Sequence, residues 1–226
     1  MRARFLMTVA LVLWAGTSLR AQDLKQAVTR MQKLYSQSNR LHVVMRIEAF
    51  EKETATTPYY QEQADIKREG ANYWYLFGTT EMLLNARFIV MVDKSAREMM
   101  FNTRKPGAGP SFQAAKAPNL DSLFRFYEDP QYLGRKGHTD HYRVVQKKGP
   151  VDRIDLLIDG GTGFLSEIRY RYRQGPLVAI HFLTFDPQPR FGPDVFAEAR
   201  YITRSGGTVQ PAVSFKHYHL SQSEGL

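Results

Sequence analysis

The sequence contains no cysteine. An exported chain of this kind has no disulfides, so its core must hold it together alone. A cysteine nucleophile is excluded. So is the acylated cysteine that a bacterial lipoprotein carries directly after its leader. Long apolar runs are scarce too. The longest, Phe5–Ala15, has eleven residues and is too short to span a bilayer. Arg2 and Arg4 precede it, and Thr17–Ala21 ends in a small residue before Gln22, with Leu19 as the one departure from the small-x-small rule. Residues 1–21 therefore read as a secretory signal peptide, cleaved near Ala21/Gln22; the alternative is an uncleaved membrane anchor. Charge of one sign is also missing. Without its three basic residues, the remaining chain has 28 Lys and Arg against 22 Asp and Glu, or +6. The cations are scattered, with no basic helix and no run of five or six, which argues against nucleic acid as a partner. Weak attraction to an anionic membrane surface stays open.

About 205 residues follow, enough for one self-supporting domain over 22–226. Asp23 to Ser38 has the spacing of an amphipathic helix, with Leu24, Ala27, Val28, Met31, Leu34 and Tyr35 on one stripe and Asp23 as N-cap. Strand patterns follow: Leu41 to Phe50, Tyr60 to Arg68, Tyr73 to Phe77, Glu81 to Leu84, Phe88 to Val92 and Glu98 to Thr103. Turn signals recur every 8–12 residues. No periodic helix interrupts them, which disfavours a parallel βαβ sheet. Lys105 to Pro118, rich in proline, glycine and alanine, reads as a long surface loop. Leu120 to Tyr127 reads as a short helix ended by Asp129-Pro130. Strands resume at Tyr132 to Lys136 and His141 to Lys147.

The clearest pattern is the meander Val151–Phe185. Ile154, Leu156 and Ile158 alternate with Asp155 and Leu157, with Asp152 one step out of phase. Asp159-Gly160-Gly161 supplies a hairpin turn. Phe164, Ile168, Tyr170 and Tyr172 point one way, and Leu165, Glu167, Arg169, Arg171 and Arg173 the other. Gln174-Gly175-Pro176 makes the next turn, and Leu177 to Phe185 is apolar on both faces apart from His181 and Thr184. Glu198 to Thr203 and Val213 to Leu220, separated by Gly206-Gly207, read as edge strands.

Motifs for chemistry are few. His138-Thr139-Asp140-His141 has residues that can ligate a metal or exchange protons, but it falls at an expected hairpin turn. His217 and His219 share a strand face without an evident third ligand. No serine lies in a nucleophile elbow. Gly160-Gly161-Thr162-Gly163 opens no helix, so it is not a phosphate loop. The expectation is a protein without catalytic residues, metal or cofactor. What the sequence does offer is apolar sheet in excess of helix. Covered by helices, such a sheet encloses either a hydrophobic cavity or an ordinary filled core. Met45, Met82, Met91, Met99 and Met100 are adaptable side chains suited to line a cavity.

The element order resembles the periplasmic lipoprotein-carrier family, the LolA-like carriers. Ile66-Lys67-Arg68-Glu69-Gly70 followed by Tyr73-Trp74-Tyr75 looks like the family's strand, turn and aromatic strand. Phe88–Asp93 and Glu98–Phe101 look like its next hairpin. Ile154–Asp159, Thr162-Gly163-Phe164 and Val178–Phe182 look like its later hairpin, and Phe191–Phe196 looks like its closing segment. Two departures stand out: Tyr73 precedes Trp74 where the family has an arginine tied to lid closure, and Glu69 replaces a turn proline.

The resemblance implies a mainly β, α+β fold. A curled antiparallel sheet would form an incomplete β-barrel covered by the N-terminal helix and the short mid-chain helix. It also implies a soluble, monomeric periplasmic carrier that binds the acyl chains of lipoproteins or lipids without covalent catalysis. Its partners would be proteins of the inner and outer membranes. The alternative is a periplasmic sensor or protein-interaction module with a filled core, working through the loop 104–118 or the Arg169, Arg171 and Arg173 row. Val43, Met45, Ile47, Ile66, Trp74, Leu76, Met82, Leu84, Val90, Val92, Ile154, Leu156, Ile158, Ile168, Tyr170 and Phe182 are the residues expected to face the cavity. A one-residue slip would invert any strand's set.

Overall fold

The computed structural model describes residues 24–31, 33–34, 37–104, 130–146 and 148–222. The signal-peptide segment, the loop 105–118 and the helix expected at Leu120 to Tyr127 lie outside these. The N-terminal helix, α1, runs over 24–37 where described. Leu24, Ala27 and Val28 of its stripe are buried, while Leu34 is exposed.

Strand alternation is the main determinant of the rest. The strands are β1 (Arg40–Phe50), β2 (Tyr60–Glu69), β3 (Asn72–Phe77), β4 (Thr80–Leu84), β5 (Phe88–Asp93), β6 (Glu98–Thr103), β7 (Gln131–Lys136), β8 (Thr139–Val145), β9 (Val151–Asp159), β10 (Leu165–Tyr172), β11 (Leu177–Asp186), β12 (Ile202–Ser205), β13 (Thr208–Pro211) and β14 (His219–Gln222). Hydrogen bonding orders twelve of them β14-β6-β5-β4-β3-β2-β1-β11-β10-β9-β8-β7, while β12 and β13 form a separate hairpin. The fold is thus mainly β with α, and its sheet does not close into a barrel. β14 runs parallel to its neighbour, β6.

The C-terminal segment differs from expectation. The two expected edge strands begin as short 3-10 turns, Glu198–Arg200 and Val213–Phe215; strand starts only at Ile202, in a hairpin over 202–211, and at His219, where β14 forms an edge of the large sheet. Gly206 and Gly207, at φ 56 and 83, allow the two-residue turn that joins it. At the other predicted glycine turn, Asp159 Oδ1 accepts from the backbone N–H of Gly161 and Thr162 and from the Thr162 hydroxyl, and it is Gly163 that takes positive φ.

The chain forms two compact units. The first holds α1, β7–β10 and parts of β1 and β11. The second holds β2–β6, β12–β14 and the rest of β1 and β11. In the second, Trp74, Leu83, Phe88, Val90, Val92, Met99 and Phe101 of the sheet pack with Tyr201 and Ile202 into a dense core. Leu76, Val195, Phe196, Phe215, Tyr218 and Leu220 pack against it.

Candidate functional site

The two faces of the sheet in the second unit differ sharply. Register puts Trp74 opposite Leu83, Leu83 opposite Val90 and Val90 opposite Phe101, so these share one face. Residues 195–220 cover that face, which explains its complete burial. Tyr75 opposes Ile66 and Met82, Met82 opposes Met91, and Met91 opposes Met100. These lie on the opposite face. The ion pair of Arg40 with Glu69 and the contact of His42 Nε2 with Asp65 Oδ1 at 2.9 Å put the polar set of β1 on the Trp74 side. Alternation then puts Leu41, Val43, Met45 and Ile47 with Ile66. On this second face Ala64, Met82 and Leu84 are buried, but Met45, Ile47, Ile66, Tyr73, Tyr75, Phe77, Ile89, Met91 and Met100 are only half-buried. β5 shows the contrast within six residues: Phe88, Val90 and Val92 are buried, and Ile89 and Met91 are not.

The expected cavity residues of this unit therefore divide. Val43, Met45, Ile47, Ile66, Met82 and Leu84 share the half-buried face. Trp74, Leu76, Val90 and Val92 lie on the opposite, filled face, and so does Met99. The expectation that they share one face is corrected here. Trp74 lies between Tyr73 and Tyr75, so both phases of β3 are apolar and pattern alone does not choose between them. Tyr73 is on the half-buried face.

A polar cluster that sequence reasoning missed lies inside the filled face. Glu81 is buried between strand neighbours. Trp74 Nε1 donates to Glu81 Oε1 at 2.8 Å and to the Tyr201 hydroxyl at 2.8 Å. The Tyr201 hydroxyl donates to Glu81 Oε1, and Lys94 Nζ pairs with Oε2 at 2.8 Å. Burial would raise the Glu81 carboxyl, but the bonds from Lys94, Tyr201 and Trp74 outweigh it and hold the group below its ordinary value. Burial, with the bond to Glu81 and its charge, pushes the Tyr201 phenol well above its ordinary value. The cluster pins the C-terminal segment to the sheet. Its one sequence signal was a glutamate within the apolar run of β4.

In the first unit, Ile154, Leu156, Ile158, Ile168 and Tyr170 do share one face, together with Tyr142 and Val144. A bulge between Leu165 and Glu167 adds Leu165 to that face, against the alternation read from sequence. Val178 and Ile180 of β11 join through Tyr170 and Ile168, and Phe182 continues their alternation along the strand. Next to this face, α1 and the turn Asp159–Gly163 border a cleft of about 320 Å³ that includes Ile158.

The opposite face of this unit is an ion-pair network. Buried Asp155 takes His141 Nε2 at 2.9 Å and Arg143 Nε at 2.8 Å, while Arg153 Nε lies 3.0 Å away without hydrogen-bond geometry. Burial would raise the Asp155 carboxyl, yet the bonds from Arg143 and His141 and the charges of Arg143 and Arg153 hold it below its ordinary value. His181 Nε2 lies 2.9 Å from Glu48 Oε2, and Glu167 pairs with Arg169. On the Ile158 side, by contrast, Asp140 is held by a two-pronged Arg135 contact and by the Tyr132 hydroxyl. Asp140 and His141 are thus taken up in separate pairings on opposite faces of β8. Among the described residues, no three His, Asp or Glu converge on a metal-sized site, and no helix is long and apolar enough to cross a membrane.

No protein-family model matches the chain, and no curated protein matches it. Solved structures do, at low identity. An uncharacterized conserved protein from Thermus thermophilus is 8% identical over 89% of this chain and 99% of its own, with a TM-score of 0.48. MucB, in its complex with MucA from Pseudomonas aeruginosa, is 13% identical over 83% of this chain and 63% of its own, with a TM-score of 0.40. A LolA superfamily protein from Nitrosomonas europaea is 9% identical over 74% of this chain and 96% of its own, with a TM-score of 0.30. These are likenesses of fold, and no residue role passes from them to this chain.

Proposed function

We propose that this chain is exported to the periplasm, loses residues 1–21, and works over residues 22–226 as a soluble, monomeric, LolA-like half-barrel that binds the acyl chains of lipoproteins or lipids. The observation that carries this reading is the half-buried face of the second unit. Met45, Ile47, Ile66, Tyr75, Met91 and Met100 form an apolar surface, while the reverse side of β3–β6 carries the packed core. Flexible methionines beside tyrosines suit alkyl chains of varied length. Each buried methylene contributes about 0.8 kcal/mol, so ten would give about 8 kcal/mol before the cost of immobilisation. Binding of this kind requires no covalent chemistry and no cofactor, and handover would involve protein partners at the two membranes.

The test is organic extraction and native mass spectrometry of protein purified from a periplasm, followed by titration with a fluorescent sixteen-carbon fatty acid. Acyl-chain ligand should co-purify. Met91→Glu and Ile66→Glu, which put charge on the half-buried face, should abolish fatty-acid binding while leaving Trp74 fluorescence native. Lipid-free protein with no saturable fatty-acid binding would sink the carrier reading. The filled Trp74 face favours a second reading, a sensor or interaction module; that outcome would leave it standing.

A further inference from the structure

We propose that the groove along the free edge of β13 binds an extended acidic peptide segment of a partner protein as an added strand. The groove lies in the second unit and has a volume of about 690 Å³. Phe101 and Leu220 line it from the large sheet. All four residues of β13 line it too. Successive strand residues point to opposite faces, so a groove touching all four follows the strand's edge.

That edge is unpaired, because β13 has β12 as its one neighbour among the described residues. Ser205 and Thr208 flank the two-glycine turn and Thr203 opposes Gln210. In a two-residue hairpin these are the pairs that exchange both backbone bonds. Val209, opposite Arg204, therefore turns its N–H and C=O away from β12, towards the groove edge. Pro211 has no N–H to offer, which limits pairing beyond Val209. An extended peptide matches this edge, since strand addition satisfies both Val209 groups and places alternate side chains over Phe101 and Leu220.

Charge sets the kind of peptide. Among the described residues that line the groove, Arg204 is the one with a charge, and none is acidic. The Arg204 guanidinium stacks on Phe88, its carbon 4.8 Å from the ring centroid. No carboxylate partner for it is found among the described residues. A carboxylate on the incoming strand would complete that contact.

The site is independent of acyl-chain binding. It lies on the side of the second unit's sheet that carries Trp74 and Phe101, away from Ile66 and Met91. The probe is a fluorescein-labelled octapeptide of alternating valine and glutamate, added to the 22–226 protein and followed by anisotropy. Saturable binding is expected, about ten-fold weaker for an alternating valine–lysine peptide and for Arg204→Glu. N-methylation of alternate peptide nitrogens should abolish it, as should Val209→Pro, which removes the outward N–H without touching a bond to β12. If Val209→Pro fails to fold by Trp74 fluorescence, the surface change at Arg204 and the methylated peptide still decide. No saturable binding up to about 1 mM overturns the proposal. So does equal affinity for the lysine peptide, or insensitivity to both Arg204→Glu and methylation. Binding of anionic phosphatidylglycerol vesicles in place of the peptide also overturns it and makes the surface a lipid contact. Loss of fatty-acid binding in Met91→Glu with peptide binding intact would separate the two sites.

Discussion

Replacing Tyr201 by phenylalanine removes one oxygen from the centre of the second unit's core. The ring stays, so stacking on Phe215 at 5.6 Å is kept. Trp74 Nε1 retains Glu81 Oε1 at 2.8 Å, and Glu81 retains Lys94, so neither partner is orphaned. What is lost is one hydrogen bond from a buried hydroxyl to an ionised carboxylate, worth about 2 kcal/mol. With a urea dependence of about 2 kcal/mol per M, the midpoint should fall by about 1 M. The assay is unusually direct. The sequence has two tryptophans, Trp14 in the leader and Trp74 in the cluster, so indole fluorescence of the 22–226 protein reports this core alone. The effect should depend on pH in one direction. The folded phenol is held above its ordinary value of 10.0, so its contribution is full below that pH. It is lost as the pH rises, because the unfolded chain ionises first. The gap between wild type and Tyr201→Phe should therefore narrow at alkaline pH. A change under about 0.5 kcal/mol at neutral pH, or a gap that widens with alkali, would refute the role given to this cluster. A cycle with Glu81→Gln should return a coupling of about 1–2 kcal/mol.

Asp155→Asn should cost about 3 kcal/mol at pH 7, because it removes the buried charge that three half-buried partners, His141, Arg143 and Arg153, converge on. The Asp155 carboxyl is held below its ordinary 3.8, so its contribution is present above that pH and lost as the pH falls. Urea titrations from neutral to acid pH should show a shallower acid limb in the variant, and an unchanged limb would clear Asp155 of the role. Leu24→Ala, at a fully buried helix position, should cost about 3 kcal/mol by thermal melting followed by circular dichroism; no shift would mean that α1 is not docked. Gly207→Val should destabilise by about 1–2 kcal/mol through backbone strain alone, since φ is 83 and no atom lies within 4 Å of the added carbon. Gly207→Asn should recover part of that loss in the same urea assay, and equal losses for both would locate the cause elsewhere.

The sequence by itself determined the elements. Alternation with turn signals placed β1 through β11 within a residue or two, because a strand with one buried face must alternate. The stripe Leu24, Ala27 and Val28 fixed α1 for the same reason at a different period. Composition ruled out disulfides and a cysteine nucleophile. What sequence did not determine was which side each strand buries against what. In β3 and β5 both phases are apolar, so Trp74, Val90 and Val92 were assigned to the same face as Ile66 and Met82. The tertiary structure decided otherwise, by laying residues 195–220 over the Trp74 side. The partners of that packing are over a hundred residues apart in sequence, as with Glu81 and Tyr201. No local period encodes such a pairing. The bulge at Leu165 likewise depends on the neighbouring β9 and not on the strand's own pattern. The candidate site follows the same rule. Its residue types were legible, but which face of the sheet is filled was decided by where residues 195–220 dock, because burial is set by contacts between segments far apart in the chain.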